Sequence, residues 1–120
     1  MKKFINLEVL KSIQEMGGDD TGFVFRIIDS FLQEVSPRLL DLQNQQRAGQ
    51  AEAMGHTAHA LASSALNLGL DPLAALCSEL DRKGRGGSLV NSDVLTKQIT
   101  DGFQEAIELL AAIVKRQSID

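Results

Sequence analysis

The chain predicts an all-α fold, an antiparallel four-helix bundle with a short additional N-terminal helix, and three observations carry that expectation. Leu, Ile and Ala recur at three- and four-residue intervals along nearly all of the 120 residues, the period of a helix with one buried face. Alternating β-branched runs and Asn-Gly hairpin turns are missing. The connections between periodic stretches are short, as antiparallel helical neighbours require.

Asn6 is placed to cap a short first helix carrying Leu7, Leu10 and Ile13, which Met16-Gly17-Gly18 stops. Asp19 and Asp20 are the expected caps of a second helix with Val24, Ile27, Ile28, Phe31, Val35, Leu39 and Leu42 on one face, ending near Ala48-Gly49. Pro37 lies inside it, and its missing donor and clash with the preceding turn predict a kink near Glu34 to Ser36 or two helices in series. A third helix fits Gln50 to Leu68, with Gly69 at the left-handed C-terminal cap. Asp71 is the expected cap of the fourth, Pro72 its first residue, and Leu73, Leu76, Cys77 and Leu80 its apolar stripe. Gly84-Arg85-Gly86-Gly87 reads as its end and as a linker. No Gly-Lys-Ser or Gly-Lys-Thr follows, so it is no phosphate-binding loop. Asn91 or Ser92 caps the last helix, whose stripe is Leu95, Ile99, Phe103, Ala106, Leu110 and Ile113.

A hydrophobic content of 43% in 120 residues supports one core and one domain over 1–120. Twelve basic against 16 acidic residues, with no basic run, argue against nucleic acid. The absence of Trp and Tyr removes the usual stacking platforms. One cysteine, Cys77, allows no internal disulfide, and on an apolar stripe it reads as a buried, unreactive thiol. MKKFINLEVL has too short an apolar run for a signal peptide, and no stretch reaches the ~20 apolar residues of a membrane span. A cytoplasmic, monomeric protein with a protein partner is expected, and the start at Met1 favours a stand-alone one.

The third helix holds the residue that calls for explanation. Met54, Ala58, Leu61, Ala65 and Leu68 form its core stripe, and His59 lies about 140° from the centre of that stripe, facing solvent. Around it on the exposed face stand Glu52, Gly55, His56, Ala62, Ser63 and Leu66, small or apolar apart from Glu52 and His56. A solvated face ordinarily carries Lys, Glu and Gln. Small side chains around an imidazole suit a docking protein, with Leu66 to bury, while the plain alternative is that alanines of high helix propensity fill an idle surface. Glu52, His56 and His59 on one helix make a poor metal site without a fourth ligand, so no metal and no cofactor are expected. Asn67 is placed to end the helix, and Ser64, off the His59 face, marks close packing.

Read in register, His59-Ala60-Leu61-Ala62-Ser63-Ser64-Ala65-Leu66-Asn67-Leu68-Gly69 resembles the signature of histidine phosphotransfer (HPt) domains of bacterial two-component phosphorelays, approximately A-H-x-L-K-G-S-S-x-x-[LIVN]-G. Leu76-Cys77-Ser78-Glu79-Leu80-Asp81 with Gly84-Arg85 resembles the family's L-C-x-x-L-E…G-R segment. Phe31-Leu32 with Pro37, Leu39 and Leu42 resembles its earlier F-x-x-x-x-P-x-x-L-x-x-L pattern. The resemblance implies a four-helix bundle in which His59 accepts a phosphoryl group from one receiver-domain aspartate and passes it to another. The metal and the catalytic aspartates then belong to the receiver, in a response regulator or hybrid histidine kinase, and the chain is a phosphocarrier rather than an autonomous enzyme. It also implies that Asp81, which a turn at Gly69-Leu70-Asp71 brings level with His59, orients the second ring nitrogen; a solvated surface charge is the alternative.

Two positions depart from the family. Where its members carry Lys and Gly three and four residues after the histidine, this chain has Ala62 and Ser63. The lost lysine charge, which steadies a phosphoryl group, has Arg82, Lys83 and Arg85 as candidate replacements, although basic residues near a helix C-terminus also serve the dipole. The departure leaves a second reading open, an HPt-fold adaptor that binds a receiver or another signalling protein without transfer. A third is a plain bundle that dimerises through the stripe of its last helix.

Overall fold

A computed structural model describes residues 5–119; Met1 to Phe4, part of the stretch weighed as a signal peptide, and Asp120 lie outside the described residues. Five helices follow in order, α1 (Leu7–Met16), α2 (Phe23–Arg47), α3 (Ala51–Asn67), α4 (Asp71–Arg85) and α5 (Ser92–Arg116), with no strand among the described residues. The expected all-α bundle with its extra N-terminal helix is what the chain forms.

Each long helix packs on its neighbour in sequence and α5 closes the ring against α2, with α3 and α4 the most extensive pair. Gln45 accepts from the Thr57 hydroxyl at 2.7 Å and Gln46 reaches Ser92 at 3.4 Å, so the α2 C-terminus meets the starts of both α3 and α5. The bundle is elongated, 47 × 21 × 21 Å. α1 lies across the end formed by the α3–α4 turn, its Val9 side chain occupying the space that a Cβ on Gly69 would enter.

The stripes expected from periodicity form the core, with Val24, Ile28, Val35, Leu42, Met54, Ala58, Leu61, Ala65, Leu73, Leu80, Ile99, Phe103 and Leu110 fully enclosed, while Leu7, Ile27 and Leu76 are half-buried against it. Phe31 and Phe103 stack across α2 and α5 with ring centroids 6.2 Å apart. Because Leu95, Ile99, Phe103, Ala106, Leu110 and Ile113 are all spent on this core, α5 has no apolar stripe left for a coiled-coil partner. Cys77 is buried, and that burial pushes its thiol up to about 12, so no thiolate is offered at neutral pH.

Local signals hold at some helix ends and fail at others. Asn6 accepts from the Glu8 amide at 3.0 Å as a side-chain cap, and Gly69 takes φ +71°, the left-handed conformation its position predicted. α2 is one helix and not two in series. Pro37 is exposed, with Val35 and Leu39 buried on either side, so its ring and the carbonyl it leaves unpaired face water while the core holds the helix together. Asp19 and Asp20 do not cap α2. Asp20 instead accepts from the Gly22 amide in a turn that precedes the helix, and pairs with Arg26. Asp71 is the first helical residue rather than the cap, with Leu70 before it, and Asn91 sits before α5 in a left-handed conformation without a side-chain cap bond. The fourth helix also runs further than Gly84 suggested: Gly84 and Arg85 are helical, and the connection begins at Gly86.

Phe103→Ala should lower the unfolding free energy by about 3–5 kcal/mol, the usual cost of emptying a buried aromatic site. Urea denaturation would measure it, and a loss below about 1 kcal/mol would contradict the enclosed Phe31–Phe103 packing.

Candidate functional site

α3 places His59 on the outside of the bundle, with 62% of its side chain exposed. The side facing away from the core also exposes Glu52, His56, Ser63 and Leu66, the last at 60%. The Ser63 hydroxyl donates back to the His59 carbonyl at 3.3 Å and so stays close to the helix, leaving a low surface one turn beyond the imidazole.

Two residues expected on that face are elsewhere. Ala62 is only 6% exposed, and Gly55 is buried with its Cα turned to the α4 backbone. Both lie on the edge of α3 that meets α4, which a single helical wheel does not separate from the open face. Gly55 is a packing residue, and Ala62 offers a partner little area. Ser64 is buried as expected for close packing. It borders a cleft of about 150 Å³ with Asn67 of α3, the following Leu68, and Ile27, Ser30, Phe31 and Glu34 of α2. Periodicity does not predict the contribution of α2 to this side of the molecule, since it reports which face is buried and not which neighbour flanks it.

From α4, Asp81 and Arg85 meet the histidine. Asp81 Oδ2 lies 3.0 Å from His59 Nδ1, and the Asp81 side chain is only 12% exposed. Arg85 grips the same carboxylate with two bonds, Nε to Oδ1 at 2.6 Å and Nη2 to Oδ2 at 3.0 Å. Its Nη2 also stands 3.3 Å from His59 Nδ1. Burial would raise the Asp81 carboxyl, but the hydrogen bonds from Arg85 and His59 and the charges of both outweigh it and hold the group below the usual carboxylate range.

The carboxylate settles the imidazole tautomer. A lone pair on Nδ1 would face an ionised oxygen at 3.0 Å, whereas a proton there is donated to it. Nδ1 then has nothing to accept with, and the approach of Arg85 Nη2 brings two donors side by side rather than a hydrogen bond. Nε2 is left with its lone pair on the exposed ring.

Of the three cations proposed to replace the missing lysine, the structure brings only Arg85 to the histidine. Lys83 reaches the Val90 carbonyl at 3.5 Å instead, and Arg82 is exposed, with no contact to His59 among the described residues. No group of three His, Cys, Asp or Glu side chains suited to a metal converges among the described residues. No helix is long and apolar enough to cross a membrane among the described residues.

The chain as a whole is similar to known proteins. Residues 26–113 match the family described as Hpt domain. The crystal structure of histidine-containing phosphotransfer protein B from Pseudomonas aeruginosa PAO1 is similar over 97% of this chain and 98% of that one, with a TM-score of 0.84 and 29% sequence identity. No curated protein matches the chain.

Because the Asp81 carboxyl is held down in the folded chain, its bonds stabilise the fold fully above its unfolded pKa near 4 and progressively less as pH falls through the lower folded value. Asp81→Asn should therefore be less stable than wild type by about 1 kcal/mol at neutral pH, the figure being modest because Arg85 is solvated. The gap should close in acid; urea unfolding at several pH values would read it, and a gap unchanged down to pH ~2 would contradict the assigned contacts.

Proposed function

The chain belongs to the Hpt domain family, and from that premise we propose that it is a phosphocarrier of a two-component phosphorelay, with His59 receiving a phosphoryl group from a receiver-domain aspartate and returning it to another. The observation that carries the reading is the exposed Nε2 of a ring whose Nδ1 faces Asp81 at 3.0 Å. Nε2 attacks phosphorus, the N–P bond forms, and the O–P bond to the donor carboxylate breaks with its electrons left on that carboxylate. No proton has to leave the ring. The phosphorylated imidazole carries a positive charge with Nδ1–H still donated to Asp81, so the carboxylate stabilises the charge that develops. Return transfer follows the same path backwards.

Arg85 is the proposed phosphoryl-binding cation in place of the family's lysine. Its guanidinium has five donors, and gripping Asp81 uses only part of that capacity. The receiver partner is proposed to dock on Ser63 and Leu66 of α3 and on the α2 flank at Ser30 and Glu34, placing its own metal and aspartates over the ring. A cytoplasmic location, where receivers and their kinases are found, accords with that partner. The Ala62 departure keeps the adaptor reading alive as the alternative outcome, a chain that binds receivers without carrying phosphate.

Incubation with phosphorylated receiver domains and labelled phosphate should give acid-labile label on wild type and none on His59→Ala. Arg85→Ala should slow labelling about tenfold, the scale of one lost charge-assisted contact. Label absent from wild type, with receiver binding retained, would establish the adaptor instead.

A further inference from the structure

α3 and α4 touch backbone to backbone at one point, and that point adjoins the histidine. A Cβ on Gly84 would lie 2.5 Å from the Ala51 carbonyl oxygen and 2.8 Å from both Cα and N of Gly55. A Cβ on Gly55 would meet the Asp81 carbonyl oxygen at 3.1 Å and the Arg85 nitrogen at 3.2 Å. Every one of these neighbours is main chain, so none can swing aside. Gly84 lies three residues after Asp81 and directly before Arg85, while Gly55 lies one turn before His59. From this geometry we infer that Gly55 and Gly84 are positioning residues: their contact sets the spacing of α3 and α4 that brings Asp81 and Arg85 onto His59. The inference deepens the phosphocarrier reading and rests on it for its consequence in transfer, but not for its geometry.

The tolerance is narrow. Relieving a 2.5 Å contact to an ordinary one moves the helices apart by about 1 Å. A hydrogen bond now at 3.0 Å would then fall outside bonding range. The contacts of a Cβ on Gly55 are looser and need a few tenths of an ångström, so the two glycines predict a graded response. The crossing also explains a helix-weakening residue within each partner, since elsewhere in a helix alanine would be preferred.

The test compares Gly84→Ala, Gly55→Ala and Ile113→Ala in the intact chain, the last being a buried site on α5 beside the opposite end of the bundle. Nitrogen NMR of the His59 ring at mildly alkaline pH reports the tautomer, and phosphoramidate as a small phosphoryl donor reports uptake without any receiver. Uptake forms the His59 N–P bond, breaks the donor's P–N bond and releases ammonia. Gly84→Ala should lose the Nδ1–H preference, shift the ring toward the free-imidazole mixture and slow uptake about tenfold, as loss of a group orienting a histidine does. Gly55→Ala should move both readings in the same direction by less. Ile113→Ala, although destabilised, should keep the wild-type ring signature.

A folded Gly84→Ala chain with wild-type tautomer and uptake would overturn the inference, as would an Ile113→Ala chain whose ring shifts as far. If Gly84→Ala does not fold, Gly55→Ala decides by the same readings: a shifted ring supports the positioning role and an unchanged one ends it. Should wild type take no phosphoryl group while its ring responds to the glycine changes, the phosphocarrier reading fails and the positioning role stands.

Discussion

The functional arrangement depends on the close contact of α3 with α4. Helices carrying ordinary side chains at their crossing pack about 8–10 Å apart, with those side chains between the two main chains. Glycine on both sides removes that spacing and lets Asp81 stay 12% exposed while its oxygen bonds the His59 ring. The rest of the fold supports this pair. α2 and α5 bury their stripes against it and against each other, Phe31 and Phe103 stacking between them, and α1 covers the end where α3 turns into α4. A rigid base suits a phosphocarrier that presents its nucleophile on an open helix face.

The same contact produces an electrostatic problem and its solution. A carboxylate brought to the edge of a helix interface loses hydration, which favours its neutral form. Arg85 restores the lost interactions with two charge-assisted bonds and His59 with one, and the net result is a carboxyl held ionised. Ionised, it can only accept, and an acceptor at Nδ1 fixes which ring nitrogen carries the proton. The chain of causes thus runs from two missing side chains, through helix spacing and desolvation, to an exposed Nε2 lone pair.

Much of this was legible in the sequence. The stripes of α2 to α5 came from a strong 3.6-residue period, and the angle of His59 from its own core stripe placed it outside correctly. Asp81 is singled out by the family resemblance, and a turn at Gly69 agrees with it, because antiparallel helices joined by a short turn pair at predictable heights. The failures share a cause. A helical wheel puts Gly55 and Ala62 outside because it divides a helix into inside and outside, whereas α3 has two further edges, one against α2 and one against α4. Gly84 was read as a helix end because glycine usually is one, and its use as a contact surface depends on a residue 29 positions earlier that no local rule connects to it. Asp20 and Asp71 were misplaced by one or two residues for the ordinary reason that several polar side chains compete to start a helix.

The departure at Ala62 changes more than a charge. The family's lysine, one turn beyond the histidine, lies on the same helix face as the ring. In this chain the nearby cation comes from α4 and is already engaged, sharing Asp81 Oδ2 with the ring. Arg85 can serve a phosphoryl group with the donors its grip on Asp81 leaves unused, or it can release the carboxylate altogether. Release is tolerable only once the ring is phosphorylated, because the cationic imidazole then replaces the guanidinium as the charge beside Asp81. Before transfer, Arg85 and His59 together hold the carboxylate; after it, the ring alone can hold it. Orientation of the nucleophile and binding of the phosphate therefore draw on one shared pair of residues, and under the phosphocarrier reading neither can be altered in this chain without moving the other.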